Sequence, residues 1–131
     1  MTTSLYYKNT FKIISISLIL AFQLNNLTDF KTGTYIYKGE AFNDVIVIRT
    51  ESYQIESLGD SIFTYFDIKW IDSKGYFLIP NKVIFNSKTT FLPKDTIRVS
   101  ILSILSDTSY RYQAVVNQDT TEHIMIKISD K

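Results

Sequence analysis

The chain has 131 residues with 14 basic and 13 acidic side chains, a length that suits a single domain. The net charge of +1 excludes the strongly basic surface that nucleic-acid binding requires, so we expect no nucleic-acid partner. The chain has no cysteine, which excludes disulfides, thiolate metal sites and cysteine nucleophiles. Nine tyrosines and nine phenylalanines favour β structure, because aromatic side chains suit a pleated, half-buried surface.

Residues 1–26 have the pattern of an export signal. Lys8 and Lys12 precede an apolar run over residues 13–24, and the segment contains no acidic residue. A membrane-spanning helix needs roughly 20 apolar residues, so this run is short for a stable span. A basic start followed by a run of this length is typical of a secretory signal. We therefore predict a hydrophobic signal helix, either cleaved or retained as a short membrane anchor. The alternative is a buried strand or helix of the domain itself.

Residues 27–131 form one predicted β-rich domain, in which short alternating segments are separated by turn residues. Tight loops between such segments predict an antiparallel meander of eight or nine short strands, curled into a small lipocalin-like barrel or half-barrel. Pro80-Asn81 is expected to break a strand. The predicted strands are Thr34–Lys38, Asp44–Thr50, Tyr53–Leu58, Ile62–Ile71, Tyr76–Ile79, Lys82–Asn86, Thr96–Leu105, Ser109–Val116 and His123–Ile128.

Period-two alternation also predicts which side chains face the interior of each strand. The inward sets, in chain order, are Ile62, Thr64, Phe66, Ile68 and Trp70; Ile97, Val99, Ile101 and Leu105; Tyr110, Tyr112, Ala114 and Val116; and Ile124, Ile126 and Ile128. This assignment leaves His123, Met125 and Lys127 on the outer face.

The pattern contains no arrangement of residues that indicates catalysis. His123 is the only histidine, so neither a metal site nor a histidine-activated nucleophile is expected. Asp67 lies beside Lys69 on the predicted outer face, and Glu51 and Glu56 flank a strand. We therefore predict a protein that is not an enzyme and uses no cofactor. The rival class is a hydrolase of envelope polymers, which would need two converging carboxylates.

A small barrel with an aromatic-lined mouth can hold an apolar molecule. The candidate lining consists of Tyr35, Tyr37, Phe66, Trp70, Tyr110 and Tyr112. Of these, we predict Tyr35, Tyr37, Trp70 and Tyr112 as the ligand-binding residues. The alternative is that the same side chains fill the core, since about eight strands enclose little empty volume. A protein partner, or a purely structural or inhibitor role, stays open.

Four short stretches resemble a group of uncharacterised envelope proteins of Gram-negative bacteria. They are Asp29–Tyr35, Ile48-Arg49, Tyr53–Glu56 and Trp70–Leu78. The group's signature runs D-F-K-T-G-x-[FY], I-x-R, Q-x-E and W-x-x-x-C-x-Y. The resemblance implies export to the periplasm or cell envelope and an all-β domain, and it implies no activity. The group often has two cysteines, and Leu27 and Lys74 stand at those positions here. The resemblance therefore implies that this domain folds without the disulfide that two such cysteines could form.

Overall fold

A computed structural model describes residues 30–39, 44–89 and 94–131 of the chain. The predicted signal segment, residues 1–26, lies outside the described residues. Within the described part, no helix is long and apolar enough to cross a membrane.

The described part of the domain contains nine β-strands, which are numbered in chain order. They are β1 (Gly33–Tyr37), β2 (Val45–Arg49), β3 (Tyr53–Leu58), β4 (Ile62–Trp70), β5 (Gly75–Phe85), β6 (Lys88–Thr89), β7 (Ile97–Ile104), β8 (Ser109–Val116) and β9 (Asp119–Ser129). Every pairing between them is antiparallel. The predicted all-β class and antiparallel arrangement are confirmed.

Eight of the strands close into a barrel. Their order is β4-β3-β2-β1-β9-β8-β7-β5, and β5 also pairs with β4, which completes the circle. The ninth strand, β6, is a short addition that pairs with the end of β5. Closure leaves no long unpaired edge in the eight-stranded ring, and exposed edges are sites of unwanted pairing between chains. The barrel is thus closed, whereas the sequence was also compatible with a half-barrel.

Strand β5 runs without interruption through Pro80 and Asn81, so the predicted break at this point is wrong. Phe66 pairs with Pro80 and Tyr65 with Lys82, which leaves Asn81 as an extra residue in β5. A β-bulge of this kind accommodates a proline, which has no N–H to give to the ladder. The Asn81 amide then donates to the Asp67 carboxylate at 3.2 Å across the strand pair.

Two of the predicted inward faces are shifted. In β7 a bulge between Ile101 and Ser103 turns Ile104 towards the core, and Leu105 is 51% exposed. In β9 Met125 is buried, whereas Ile128 is 54% exposed. The prediction that Ile124, Ile126 and Ile128 face inward is therefore wrong, because the opposite side of β9 faces the core. The polar residues after Asn117 also belong to β9, which begins at Asp119.

One end of the barrel is filled by aromatic side chains. Phe30, Tyr35 and Tyr110 are fully buried, and the Phe30 and Tyr110 ring centroids lie 4.7 Å apart. Gly33 lets β1 approach β9 here, because its φ is +131° and an added Cβ would lie 2.7 Å from the Ser129 carbonyl oxygen. The opposite end keeps open space between the strands.

Candidate functional site

The barrel contains a cavity of about 310 Å³. Its walls include apolar side chains at the ends of three strands, Val45, Ile97 and Val116. It therefore reaches the end of the barrel where β2 and β7 begin and β8 ends. Its inner part includes Arg49 and Tyr76, next to the aromatic residues that fill the other end. Ligand sites in proteins are typically concave and largely apolar, and about 300–1,000 Å³ in volume.

Arg49, the last residue of β2, is only 2% exposed and forms part of the cavity wall. Its Nε donates to Gln54 Oε1 at 2.8 Å. Its Nη1 donates to the Phe30 carbonyl oxygen at 3.0 Å and to the Tyr110 hydroxyl at 2.8 Å. Its Nη2 is buried and has no hydrogen-bond acceptor among the described residues. A buried guanidinium is thus held in place by three acceptors while one nitrogen stays unused.

Two tyrosine rings cover the Arg49 guanidinium. Its Cζ lies 4.8 Å from the centroid of Tyr35 and 5.1 Å from that of Tyr76. The negative face of an aromatic ring attracts a cation, most strongly where water is excluded. Burial by itself lowers the pKa of Arg49, but the surrounding Tyr110, Tyr76 and Tyr35 outweigh it and hold the pKa above its ordinary value. The arginine therefore remains a fixed positive charge inside the barrel.

A second polar branch runs from Gln54 to Glu56, both of which face into the barrel from β3. Gln54 Nε2 donates to Glu56 Oε1 at 2.8 Å, and the Tyr37 hydroxyl donates to the same oxygen at 3.1 Å. Burial raises the pKa of the Glu56 carboxyl, and the hydrogen bonds from Tyr37 and Gln54 and the charge of Arg49 only partly oppose this rise. Gln54 therefore links the buried cation to a carboxyl group that tends to keep its proton.

Three aromatic side chains form one wall of the cavity. The Tyr37 ring centroid lies 6.5 Å from Tyr112 and 6.0 Å from His123, and Tyr112 lies 5.7 Å from His123. Burial is the main reason that the pKa values of Tyr37 and Tyr112 lie above their ordinary value. Both hydroxyls are therefore neutral at physiological pH, and the single proton of Tyr37 is already donated to Glu56 Oε1.

The four predicted ligand-binding residues fall into two groups. Tyr37 and Tyr112 line the cavity together. Tyr35 lies beneath it, where its hydroxyl donates to the carbonyl oxygens of Phe30 and Thr32. Trp70 lies farther away, where its Nε1 donates to the Glu51 carbonyl oxygen at 3.1 Å. The geometry thus brings one pair to the cavity and gives the other pair structural partners.

Sequence reasoning missed the polar residues of the cavity. Arg49, Gln54, Glu56 and His123 all line it, although His123 was expected on the outer face. The available signal was the alternation of side chains along β2, since Arg49 lies on the same face of the strand as Val47, which is fully buried. Within the described residues, no group of three or more histidine or acidic side chains could hold a metal ion.

Comparison with known proteins gives no further guidance on this site. No protein-family model, no curated protein and no solved structure matches the chain.

Replacing Glu56 with glutamine is expected to stabilise the protein at pH 7–8. Unfolded glutamate loses its proton near pH ~4.3, whereas burial raises the pKa of folded Glu56. Between these two values the unfolded state binds fewer protons, so the free energy of unfolding falls as pH rises, and it levels off above the folded pKa. Glutamine keeps the accepting Oε1 but does not titrate, which should remove this fall.

The measurement is urea unfolding of the wild type and Glu56→Gln at intervals from pH 4.5 to 8. The exposed Glu122→Gln is the matched control and should leave the wild-type curve unchanged. A lower stability of Glu56→Gln at pH 8 would contradict the expectation, because it would show a carboxylate that Arg49 stabilises.

Proposed function

We propose that this protein is a non-enzymatic binding module that holds a small, mainly apolar ligand inside its barrel. The observation that carries the proposal is the cavity of about 310 Å³ with apolar walls and a polar inner end. Apolar walls favour binding by the hydrophobic effect, and a few fixed polar groups orient the ligand. Tyr37, Tyr112 and His123 supply polar atoms along one wall.

The cavity also supports this proposal over a barrel that is filled throughout. Eight strands enclose an interior that side chains can fill completely or leave open for one small ligand. Here the aromatic side chains of Phe30, Tyr35 and Tyr110 pack at one end only. Small side chains such as Ala114 and Thr121 line the other part. The barrel is therefore divided into a packed base and an open upper part.

A hydrolase is less well supported by the groups that line the cavity. A glycosidase of the common type needs two carboxyl groups within roughly 5–10 Å of one another. Among the described cavity-lining residues, Glu56 is the one carboxyl group, and its Oε1 already accepts two hydrogen bonds. Asp67 lies on the outside of the barrel, where it accepts from Asn81.

The setting that we propose is the bacterial cell envelope. The basic and apolar pattern of residues 1–26 supports export. The resemblance of Asp29–Tyr35 and Trp70–Leu78 to envelope proteins supports the same compartment. With a closed antiparallel barrel and an internal cavity, the domain would work as a lipocalin-like carrier, either periplasmic or anchored by residues 13–24.

Native mass spectrometry of the full chain, isolated gently from its host, tests the proposal. We expect a non-covalent adduct of defined mass on the wild type. Ala114→Phe is the matched variant, because Ala114 lines the cavity and a phenyl ring would occupy it. This variant should fold, by far-ultraviolet circular dichroism, and carry no adduct. Equal adducts on both proteins, or no adduct and no uptake of an added apolar probe, would contradict the proposal.

A further inference from the structure

Glu56 leaves one oxygen of its carboxyl group available to a ligand. Its Oε1 accepts from Gln54 Nε2 at 2.8 Å and from the Tyr37 hydroxyl at 3.1 Å. Its Oε2 has no hydrogen-bond partner among the described residues. Among those residues, only Arg49 Nη2 both lacks a partner and is closed off from the surface, so Glu56 Oε2 keeps accessible surface. Because Glu56 lines the cavity, a ligand there can contact this oxygen.

The two donors at Oε1 determine where the proton of the neutral carboxyl group lies. Burial raises the pKa of Glu56 and so favours its protonated form, which has one O–H donor. A proton on Oε1 would face the N–H of Gln54 and the O–H of Tyr37, so the proton lies on Oε2. Glu56 Oε2 is therefore a hydrogen-bond donor that no described residue uses. Such a donor in an apolar cavity is unfavourable until an acceptor pairs with it.

The charges around the cavity favour a ligand that has no charge of its own. Protonated Glu56 offers no negative charge to a cation, and Gln54 holds the positive charge of Arg49 nearby. An anion cannot form an ion pair with Arg49, because the free nitrogen of its guanidinium is closed off from the cavity. The hydroxyls of Tyr76 and Tyr112 are neutral as well, since burial raises both pKa values. A buried charge without a partner is strongly unfavourable.

The rest of the cavity suits a short aliphatic molecule. A volume of about 310 Å³ corresponds to about ten groups of the size of water or methylene, at ~30 Å³ each. The apolar walls include Leu78 and Val99, with Val45 and Ile97 towards the open end. Each buried methylene contributes favourably to binding. A ketone, aldehyde or ester carbonyl adds an acceptor to such a molecule without adding a donor that would itself stay unpaired.

We propose that the ligand is a short, uncharged aliphatic molecule whose carbonyl oxygen accepts a hydrogen bond from Glu56 Oε2. This inference rests on the proposed function, because it names the chemical class of the ligand in the same cavity. The contact gives Oε2 its missing acceptor and leaves the bonds of Oε1 to Gln54 and Tyr37 in place. The carboxyl group thus orients the ligand, and the apolar walls supply most of the affinity.

Isothermal titration calorimetry of the full chain at pH 6 tests the charge of the ligand. The three probes are 2-octanone, octanoate and octylammonium, which have alkyl chains of similar length. We expect 2-octanone to bind about tenfold or more tightly than either ion, because neither ion finds a partner for its charge in the cavity. Ala114→Phe is the control for binding outside the cavity and should bind none of the three.

Infrared difference spectroscopy tests the hydrogen bond itself. The probe is 2-octanone with an isotopically labelled carbonyl, which separates its band from those of the protein. A hydrogen bond lowers the stretching frequency of the accepting carbonyl, so the bound ketone should absorb at a lower frequency than the same ketone in hexane. The carboxylic acid band of Glu56 should shift when the ketone binds. This band should be absent from Glu56→Gln and unchanged in the exposed control Glu122→Gln.

The outcomes separate this inference from the proposed function. Octylammonium binding as tightly as 2-octanone would overturn the protonated donor, and octanoate binding as tightly would overturn the uncharged class of ligand. A bound ketone that absorbs at its frequency in hexane would overturn the hydrogen bond to Glu56. Each of these results would leave the ligand-binding barrel in place. No cavity-dependent binding of any probe would overturn both the inference and the proposed function.

Discussion

Arg49→Ala is expected to lower the free energy of unfolding by about 3–5 kcal/mol, the range found when one member of a buried charged network is removed. The substitution leaves Gln54 Oε1, the Phe30 carbonyl oxygen and the Tyr110 hydroxyl without their donor. It also opens a void beneath Tyr35 and Tyr76, and core voids add their own cost. A domain of this size has a total stability of roughly 5–15 kcal/mol, so much of it would be lost.

Urea unfolding followed by the fluorescence of Trp70, the only tryptophan in the chain, measures this effect. Arg98→Ala is the matched control, because Arg98 lies on β7 with its side chain exposed. Substitutions at such surface positions usually change stability by less than about 0.5 kcal/mol. Equal midpoints for Arg49→Ala and Arg98→Ala would show that the buried network contributes nothing to folding. Arg49→Lys should fall between them, since it keeps the charge and loses the fork.

The sequence predicted the fold well where strands are regular. Strand β8 has no bulge in its pairing with β9, and Tyr110, Tyr112 and Ala114 lie on the inner face as alternation requires. Strands β5 and β7 each contain a bulge. A single inserted residue moves every side chain beyond it to the opposite face of the sheet. Bulges depend on the partner strand, so Leu105 could not be placed from its own strand alone.

In β9 the error has a different cause. Hydrophobicity favoured the side with Ile124, Ile126 and Ile128, but the outer surface of this barrel is itself partly apolar. Ile126 pairs in register with Ile36 on the outside, because the neighbouring Tyr35 and Tyr37 face inward. When both faces of a strand carry apolar residues, composition does not distinguish them, and His123 and Met125 were assigned to the wrong side.

The buried polar network was beyond prediction from local sequence. An arginine at the end of a strand is expected outside, because a buried charge without partners is strongly unfavourable. The partners of Arg49 come from distant parts of the chain, and Tyr110 is 61 residues away. Phe30, Tyr35, Gln54 and Tyr76, which belong to the stretches that carry the resemblance, all contact Arg49. Those stretches therefore meet in space, although sequence alone could not show where.

Trp70→Ala is expected to cost about 3 kcal/mol, the lower end of the range for truncating a large aromatic side chain, because Trp70 is only half-buried. Its ring centroid lies 4.6 Å from that of Tyr76, which in turn covers Arg49. Its Nε1 also donates to the Glu51 carbonyl oxygen. Trp70 thus supports the packed base of the barrel from outside the described cavity lining.

Because Trp70 lies outside the described cavity lining, its substitution should lower the stability of the protein without changing ligand binding. Urea unfolding followed by circular dichroism, since the substitution removes the fluorophore, should show the loss of stability. The neighbouring Ile71→Ala, with a side chain 49% exposed, should lose about 1 kcal/mol or less. At low temperature, folded Trp70→Ala should keep the same adduct or probe affinity as the wild type. A folded Trp70→Ala protein that binds nothing would instead make Trp70 a ligand contact and contradict a site confined to the cavity.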